Sequence, residues 1–233
     1  MYRLQHHPRW LGVLIATATA LAPGAHARAS DHLDTPTVTA DPAADIGDLF
    51  AWISPDGRRL NLAMTIVGHQ FSDRLQYVFH VDSAPRFGDT AASTAIVCRF
   101  DAANAAECWA GDADYLRGDA GQPIGLEGQR RRFRVFAGLR DDPFYNNVKG
   151  TRAALNAAAA ALQTGTTTDP AGCPGFDEVT SWTIFDRWGH TEGGPATNFL
   201  AGWTSAALVI SVDLDLVNAG GALLAVWAGT YKS

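Results

Sequence analysis

The feature that most constrains this fold is a succession of short apolar runs separated by turn residues. The segment LQYVFHV alternates between an apolar face, which begins at Leu75 and Tyr77, and a more polar one, the period of a half-buried β-strand. Upstream, DLFAWIS and RLNLAMTIV flank SPDG, which is typical of a tight reversal between strands. Further strands are expected at 94–100, 106–110 and 131–138, and in the runs SAALVISVDLDLV and ALLAVWAGTY. Strands without intervening helices predict antiparallel sheets, and we expect a β-sandwich-like domain.

One segment breaks this pattern. KGTRAALNAAAAALQTG is rich in alanine, contains no proline and ends in Gly165, which predicts an inserted α-helix over about 149–164. Residues 166–195 are rich in Gly, Pro, Thr and Asp, and this composition predicts a long surface loop. The length and the 47% apolar content fit one domain, which we expect to cover residues 30–233.

Residues 1–29 have the three zones of a secretory signal peptide: a basic start, an apolar core and small residues before the cut. Cleavage is expected after Ala29, and a cut after Ala27 satisfies the same rule. The apolar core is shorter than the roughly 20 residues that a membrane-spanning helix needs. We therefore expect a secreted or periplasmic protein without an integral membrane segment after processing.

The charge balance argues against nucleic acid as a partner. The formal net charge is −6, and it falls to about −9 without the predicted signal, which contains three arginines and no acidic residue. The basic cluster RRRFR alternates along a strand, as a solvated face does. The sequence identifies no protein or small-molecule partner.

Three cysteines in an oxidising compartment leave one without an intramolecular partner. Cys98 ends the run TAIVC and Cys108 follows the turn-like DAANAA, so a disulfide between them that closes a β-hairpin is the expected pairing. Cys173 would then be free or paired with another chain, although spacing alone also permits a long-range bridge to either partner.

A mature chain that begins at Ser30 would have His32 at its third position. The amine, two backbone amide nitrogens and the imidazole form the square-planar set that Cu(II) and Ni(II) prefer. No proline interrupts this segment before Pro36. The sequence thus predicts competence to bind copper or nickel, which does not by itself make a copper function.

A second interpretation of the N-terminus is a site for a hard cation, with calcium first. It joins Asp31, His32 and Asp34 to the downstream Asp41, Asp45 and Asp48 of DPAADIGDLF. Calcium takes six to eight oxygen ligands, and carboxylates in loops supply them. The spacing does not match the regular calcium-binding loop. The alternative is that these acids cap turns and lie on a solvated edge.

The segment FAGLRDDPFYNN is a third candidate, because adjacent carboxylates follow an arginine there. Asp141 and Asp142 could ligate a cation or act as an acid and base pair. The structural alternative, which we favour, is that the aspartates bond their own turn and that Arg140 neutralises one of them.

These segments together carry a family resemblance. SDHLDTP, DIGDLFAWISPDG, YVFHVDS, FAGLRDDPFY and NFLAGWTSAALVISV resemble the secreted bacterial family catalogued as domain of unknown function 4331. The similarity spans most of residues 30–229, and FAGLRDDPFY is its most specific motif. The matching positions are His32, Pro36, Asp45, Asp48, Asp82, Arg140, Asp141, Asp142 and Pro143.

The resemblance implies a β-rich fold but no settled activity. Longer members of the family continue beyond the position of LLAVWAGTYKS with a segment that contains an Arg-x-Gly-x-Pro-x-x-Asn stretch. We expect any site that needs this segment to be missing here, which makes enzymatic activity less favoured.

Three functional hypotheses follow. The first is a secreted, non-catalytic binding protein with a divalent cation held by Asp31, His32, Asp34, Asp45, Asp48, Asp141 and Asp142. The second is a metal-dependent hydrolase with one of the last two aspartates as base. The third is a structural or interaction module of the cell envelope. No serine-hydrolase elbow, zinc-protease helix, phosphate-binding loop or dinucleotide fingerprint is present in the sequence.

Overall fold

Between His32 and Ser233, the residues that the computed structural model describes, alternating apolar runs form twelve β-strands and separate runs form three α-helices. The helices are α1 (Pro36–Ala40), α2 (Val148–Gln163) and α3 (Glu178–Gly189). The strands are β1 (Ile46–Ile53), β2 (Arg59–Ile66), β3 (Leu75–Ala84), β4 (Ala92–Phe100), β5 (Ala106–Ala110), β6 (Asp114–Gly118), β7 (Leu126–Glu127), β8 (Phe133–Asp141), β9 (His190–Thr191), β10 (Gly194–Pro195), β11 (Thr204–Asp213) and β12 (Leu223–Lys232). The predicted signal peptide lies outside the described residues and stays a prediction.

Ten of the strands make two five-stranded antiparallel sheets. The first sheet has the order β1-β2-β11-β8-β7, and the second has the order β12-β3-β4-β5-β6. Each hydrogen-bonded pair of strands is antiparallel, as the sequence predicted. In the first sheet β11 lies between β2 and β8, so its partners come from distant parts of the chain. The mainly β, sandwich-like fold is confirmed.

The core lies between the two sheets, because every second residue of the central strands points inward. In β2 the alternate side chains of Leu60, Leu62, Met64 and Ile66 are all at most 2% exposed. The inward residues of β11, β8, β3, β4 and β5 join them in a single cluster. At about 25 cal/mol for each Å² of apolar surface removed from water, this cluster is the main favourable contribution to folding.

The hairpin of β4 and β5 carries the predicted disulfide. Cys98 and Cys108 are direct partners across the hairpin, with their Cα atoms 4.2 Å apart, and they form a bridge that is fully buried. This prediction is confirmed. Cys173 is exposed and has no disulfide partner within residues 32–233.

The inserted helix predicted over about 149–164 is α2, and its bounds agree with the prediction within a residue. The prediction of a continuous surface loop over 166–195 is wrong, because this region contains α3 and the short hairpin of β9 and β10. The carboxylate of Asp177 accepts a hydrogen bond of 2.7 Å from the N–H of Thr180 and begins α3. The polar composition that suggested a loop thus belongs to the caps and the connections of a two-helix insertion.

Candidate functional site

The start of the described chain is held in place by Asp45. This residue follows the 3-10 turn Pro42–Ala44 and is only 9% exposed. Its Oδ2 accepts a hydrogen bond of 2.7 Å from the N–H of Leu33, and its Oδ1 lies 3.3 Å from Nδ1 of His32. Two predicted ligands, His32 and Asp45, are therefore neighbours, and their contacts anchor the N-terminal segment to the turn.

Asp48 lies on β1, where the pairing with β2 is irregular. Gly47 allows β1 to lie close to Thr65 of β2, because a Cβ at position 47 would be only 2.7 Å from the Oγ1 of Thr65. The same hydroxyl accepts a hydrogen bond of 2.8 Å from the N–H of Asp48. Burial and the negative charge of Asp142 raise the pKa of Asp48, and His32 opposes this with a smaller effect. These three side chains thus share one electrostatic environment.

In the turn after β8, one of the two aspartates, Asp142, binds the backbone of the turn. Asp142 accepts a hydrogen bond of 2.9 Å from the N–H of Phe144, and its own N–H donates to the carbonyl of Trp203 at 2.9 Å. Asp141 is exposed at the end of β8. Arg140 does not neutralise either aspartate in the described residues: its guanidinium lies 3.8 Å from the centre of the Phe136 ring.

The seven predicted metal ligands are brought together only in part. His32 contacts Asp45, and burial and the charge of Asp142 raise the pKa of Asp48, whereas Asp34 is exposed. Among residues 32–233 no group of three or more His, Cys, Asp or Glu side chains is arranged to hold a metal ion. Asp31, and with it the predicted copper or nickel site at the mature N-terminus, lies outside the described residues. The shared cation site stays a prediction.

The α2–α3 insertion, with the segments that join it to β8 and β11, is a feature that the functional hypotheses did not use. Ten of the nineteen exposed large apolar side chains of the described chain lie between positions 142 and 203, so exposed apolar surface is concentrated here. Five of the six tryptophans among residues 32–233 are exposed as well, although tryptophan is on average a strongly buried residue. The exposed tryptophans are Trp52, Trp182, Trp188, Trp203 and Trp227.

The outward side of α3 carries three of these aromatic side chains, which we name the aromatic row: Trp182, Phe185 and Trp188. They are 67%, 71% and 56% exposed, and the rings of Phe185 and Trp188 contact edge to face with their centres 6.0 Å apart. Thr183 and Ile184 are partly buried instead. The spacing of three residues in VTSWTIFDRW could have indicated this row, but the surrounding loop-like composition concealed the helix.

Asn147 holds the two helices together at their base. It is 7% exposed, and its Oδ1 accepts a hydrogen bond from the N–H of Gly150, which caps α2. Its Nδ2 donates hydrogen bonds of 3.0 Å to the carbonyl oxygens of Trp188 and His190 at the end of α3. A side chain at Gly150 would overlap both Asn147 and the His190 carbonyl. The buried amide of Asn147 therefore joins the start of α2 to the end of α3.

Three surface clefts in the described part of the chain offer no alternative site for the predicted ligands. Their volumes are about 390, 600 and 290 Å³. Arg and Asp or Glu side chains line them, and many of these are paired with each other, as Arg99 is with Glu107 at 2.7 Å. None of the three is lined by His32, Asp45, Asp48 or the aspartates after β8.

None of the helices between His32 and Ser233 is both long and apolar enough to cross a membrane. No family model matches the chain, and neither a curated protein nor a solved structure is significantly similar to it.

Proposed function

We propose that this chain is a secreted, non-catalytic binding protein of the cell envelope that docks a partner protein through its α2–α3 insertion. The observation that carries the proposal is the aromatic row on the outward side of α3. A surface helix of a globular protein normally turns its apolar side inward and its polar side to solvent. In α3 the largest aromatic side chains lie on the exposed side instead, since Trp182 is 67% exposed whereas Thr183 is partly buried.

The size of this surface fits a protein contact. At roughly 200 Å² for an aromatic side chain, the exposed fractions of the aromatic row sum to about 400 Å². A stable protein interface buries about 800 Å² on each partner, so the row supplies about half of one side. Tryptophan and other aromatic residues dominate the binding energy of such interfaces because they bury much apolar area with few rotatable bonds.

The charges around the row favour a protein over a lipid surface. Asp177, Glu178 and Asp186 lie on α3 or at its start, and only Arg187 opposes them. Helices that bind anionic membranes carry an excess of Lys and Arg beside their apolar side. The expected partner therefore presents an apolar groove with a basic rim, into which α3 inserts its aromatic side chains.

A site-specific photo-crosslinking experiment tests this proposal. Phe185 is replaced by benzoylphenylalanine in the full chain, and cells that secrete it are irradiated. Phe87, which is 99% exposed in the β3–β4 loop, is the matched control for an accessible phenylalanine. We expect a discrete protein adduct from position 185 and none from position 87, and we expect Trp182→Glu to remove it. Equal crosslinking at both positions, adducts to lipid only, or no adduct would overturn the proposal.

A divalent cation near β1 is a second candidate, and it is favoured by the repulsion between Asp48 and Asp142. Burial raises the pKa of Asp48 and the negative charge of Asp142 raises it further, and a cation near the two carboxylates would relieve that repulsion. Asp31, His32 and Asp45 would add ligands from the N-terminal segment. The hydrolase hypothesis shares this site and would need an open coordination position in addition.

Elemental analysis of the secreted protein, combined with thermal unfolding in calcium and in chelator, tests the cation site. We expect bound calcium, and we expect a calcium-dependent rise in Tm that disappears in Asp48→Asn. Asp112→Asn is the control, because Asp112 is an exposed turn residue whose carboxylate makes no hydrogen bond within residues 32–233. Protein that is folded, metal-free and unaffected by added ions would contradict this candidate and leave the docking proposal for the α2–α3 insertion untouched.

A further inference from the structure

The two sheets have four edges, and the described chain protects three of them. Strand β7 has two residues and β6 has five, so neither offers a long template for another strand. Strand β1 is irregular in its pairing between Ile46 and Leu49, and Asp48 lies within that stretch. Such short strands, irregularities and edge charges are the devices by which proteins avoid edge-to-edge association.

Strand β12 has none of these protections until its last residue. It is ten residues long, pairs with β3 in unbroken register, and contains no proline and no charge before Lys232. Leu223, Trp227 and Tyr231 are 47%, 47% and 43% exposed on its outer face. The indole of Trp227 stacks on the imidazole of His80 with the ring centres 3.6 Å apart, which fixes the ring at the sheet edge.

The direction of the free backbone groups of β12 follows from the bonds at its end. The N–H of Ser233 donates to the carbonyl of Arg74 at 3.0 Å, so the pair Lys232 and Leu75 exchanges no hydrogen bond of its own. In an antiparallel ladder, residue pairs that exchange hydrogen bonds alternate with pairs that do not. The backbone groups of every even-numbered residue of β12 therefore point away from β3, and within residues 32–233 they make no backbone hydrogen bond: Leu224, Val226, Ala228 and Thr230.

We propose that β12 pairs antiparallel with β12 of a second copy of this chain, about a two-fold axis at Trp227. The two five-stranded sheets would then continue as one sheet of ten strands. This proposal is independent of the docking function of the α2–α3 insertion, since it uses a different element and other side chains.

The side chains of β12 are self-complementary in size about this axis. On the outer face Leu223 lies opposite Tyr231 of the second copy, and Ala225 lies opposite Gly229. Trp227 lies opposite itself. Large residues thus meet large ones and small residues meet small ones, and each contact occurs twice about the two-fold axis, as in an isologous interface. The ring of Tyr231 already folds over its own Gly229, where a Cβ would lie 2.9 Å from the tyrosine hydroxyl, so this small pair is covered from outside.

The chemistry of the surface also favours a second copy. No charged side chain lies between Leu223 and Tyr231, so two identical strands meet without the repulsion that like charges would cause at a two-fold axis. Each newly formed hydrogen bond joins a backbone donor and acceptor that have no other backbone partner in the described chain. The alternative occupant, a strand of a different protein, would not require the observed symmetry of sizes.

Disulfide trapping tests both the contact and its register. Residues at odd positions of β12 would form pairs without mutual hydrogen bonds across the new contact, whose Cα atoms are about 4.5 Å apart. The native Cys98 and Cys108 form a pair of this kind with 4.2 Å between Cα atoms. In a Cys173→Ser background, Trp227→Cys should therefore form a disulfide with itself. Ala225→Cys is the matched control, because its two copies would lie about 13 Å apart.

Light scattering on the unmodified chain gives the second measurement. By light scattering we expect twice the mass of one chain. By disulfide trapping we expect most Trp227→Cys chains to oxidise to a covalent dimer, and we expect at least tenfold less covalent dimer for Ala225→Cys. Ala228→Pro removes an outward N–H without touching the β3 ladder, and we expect it to weaken association at least tenfold. A single-chain mass at every concentration, or equal crosslinking at 225 and 227, would overturn the proposal. The comparison of Trp227→Cys with Ala225→Cys tests the proposal even if the proline variant does not fold.

Discussion

Replacing Asp48 with asparagine is expected to stabilise the folded chain at neutral pH in the presence of chelator. The carboxylate of Asp48 is partly buried near the charge of Asp142, and within residues 32–233 it accepts no hydrogen bond. Asparagine removes the charge and retains the shape. The N–H that donates to Thr65 belongs to the backbone and is unaffected.

The size of the effect follows from the exposure of the pair. Charged groups that are partly in contact with solvent typically interact by about 0.2–1 kcal/mol, and we expect about 0.5 kcal/mol here. For a domain of this length that corresponds to a rise in Tm of about 1–2 °C.

The pH dependence distinguishes this cause from others. Because the pKa of Asp48 is raised in the folded state, its favourable contribution is present below the unfolded pKa of about 4 and is lost as pH rises through the folded pKa. The difference between wild type and Asp48→Asn should therefore be largest at pH 7 and vanish near pH 3.

Urea unfolding across this pH range, with chelator present, is the assay. Asp112→Asn again serves as the control for removing a surface charge. A variant that is less stable than wild type at pH 7, or a difference that is the same at pH 3 and pH 7, would refute the electrostatic reasoning. In calcium the sign should reverse if the cation site exists, because wild type alone would then gain binding energy.

Three further changes have expected outcomes. Asp114 is buried, and although burial raises its pKa, hydrogen bonds from three backbone N–H groups at 2.8 Å hold that pKa below its usual value. Asp114→Asn should therefore cost about 2 kcal/mol of the free energy of unfolding at pH 7, and the wild-type advantage should disappear on titration below about pH 4. Reduction of Cys98–Cys108, which are ten residues apart, should lower the free energy of unfolding by about 2–3 kcal/mol; urea unfolding with and without reductant measures it. Asn147→Ala should accelerate hydrogen exchange in α2 and α3 at least tenfold and leave exchange in the central strands unchanged, whereas equal acceleration throughout would contradict its role at the base of the insertion.

The sequence indicated some residues of the candidate site and missed others. The residue types of the N-terminal segment led to His32, Asp45 and Asp48, and the contacts of His32 with Asp45 agree with an ordered N-terminal segment. The proximity of Asp48 to Asp142 was expected only through the assumption of a shared site, since almost a hundred residues separate them. The aromatic row was missed, because a three-residue apolar spacing inside a Gly- and Pro-rich region does not by itself distinguish a short exposed helix from a loop.

What the sequence determined by itself is local. The two-residue period of RLNLAMTIV decided which side chains of β2 enter the core, the SPDG turn decided that β1 and β2 form a hairpin, and the spacing of Cys98 and Cys108 decided their bridge. These features depend on neighbours within about ten residues, where backbone geometry leaves few alternatives.

The tertiary structure alone decided which strands lie side by side and which side chains face solvent. Strand β11 lies between β2 and β8, so the end of β8, and Asp142 after it, lies at the same end of the sheet as the start of β1. In the other sheet β12 becomes an edge strand. The aromatic row faces outward because α3 turns the side with Thr183 and Ile184 toward the rest of the chain. Pairings over such separations are selected by the total burial of the assembled sheets, which no single segment encodes.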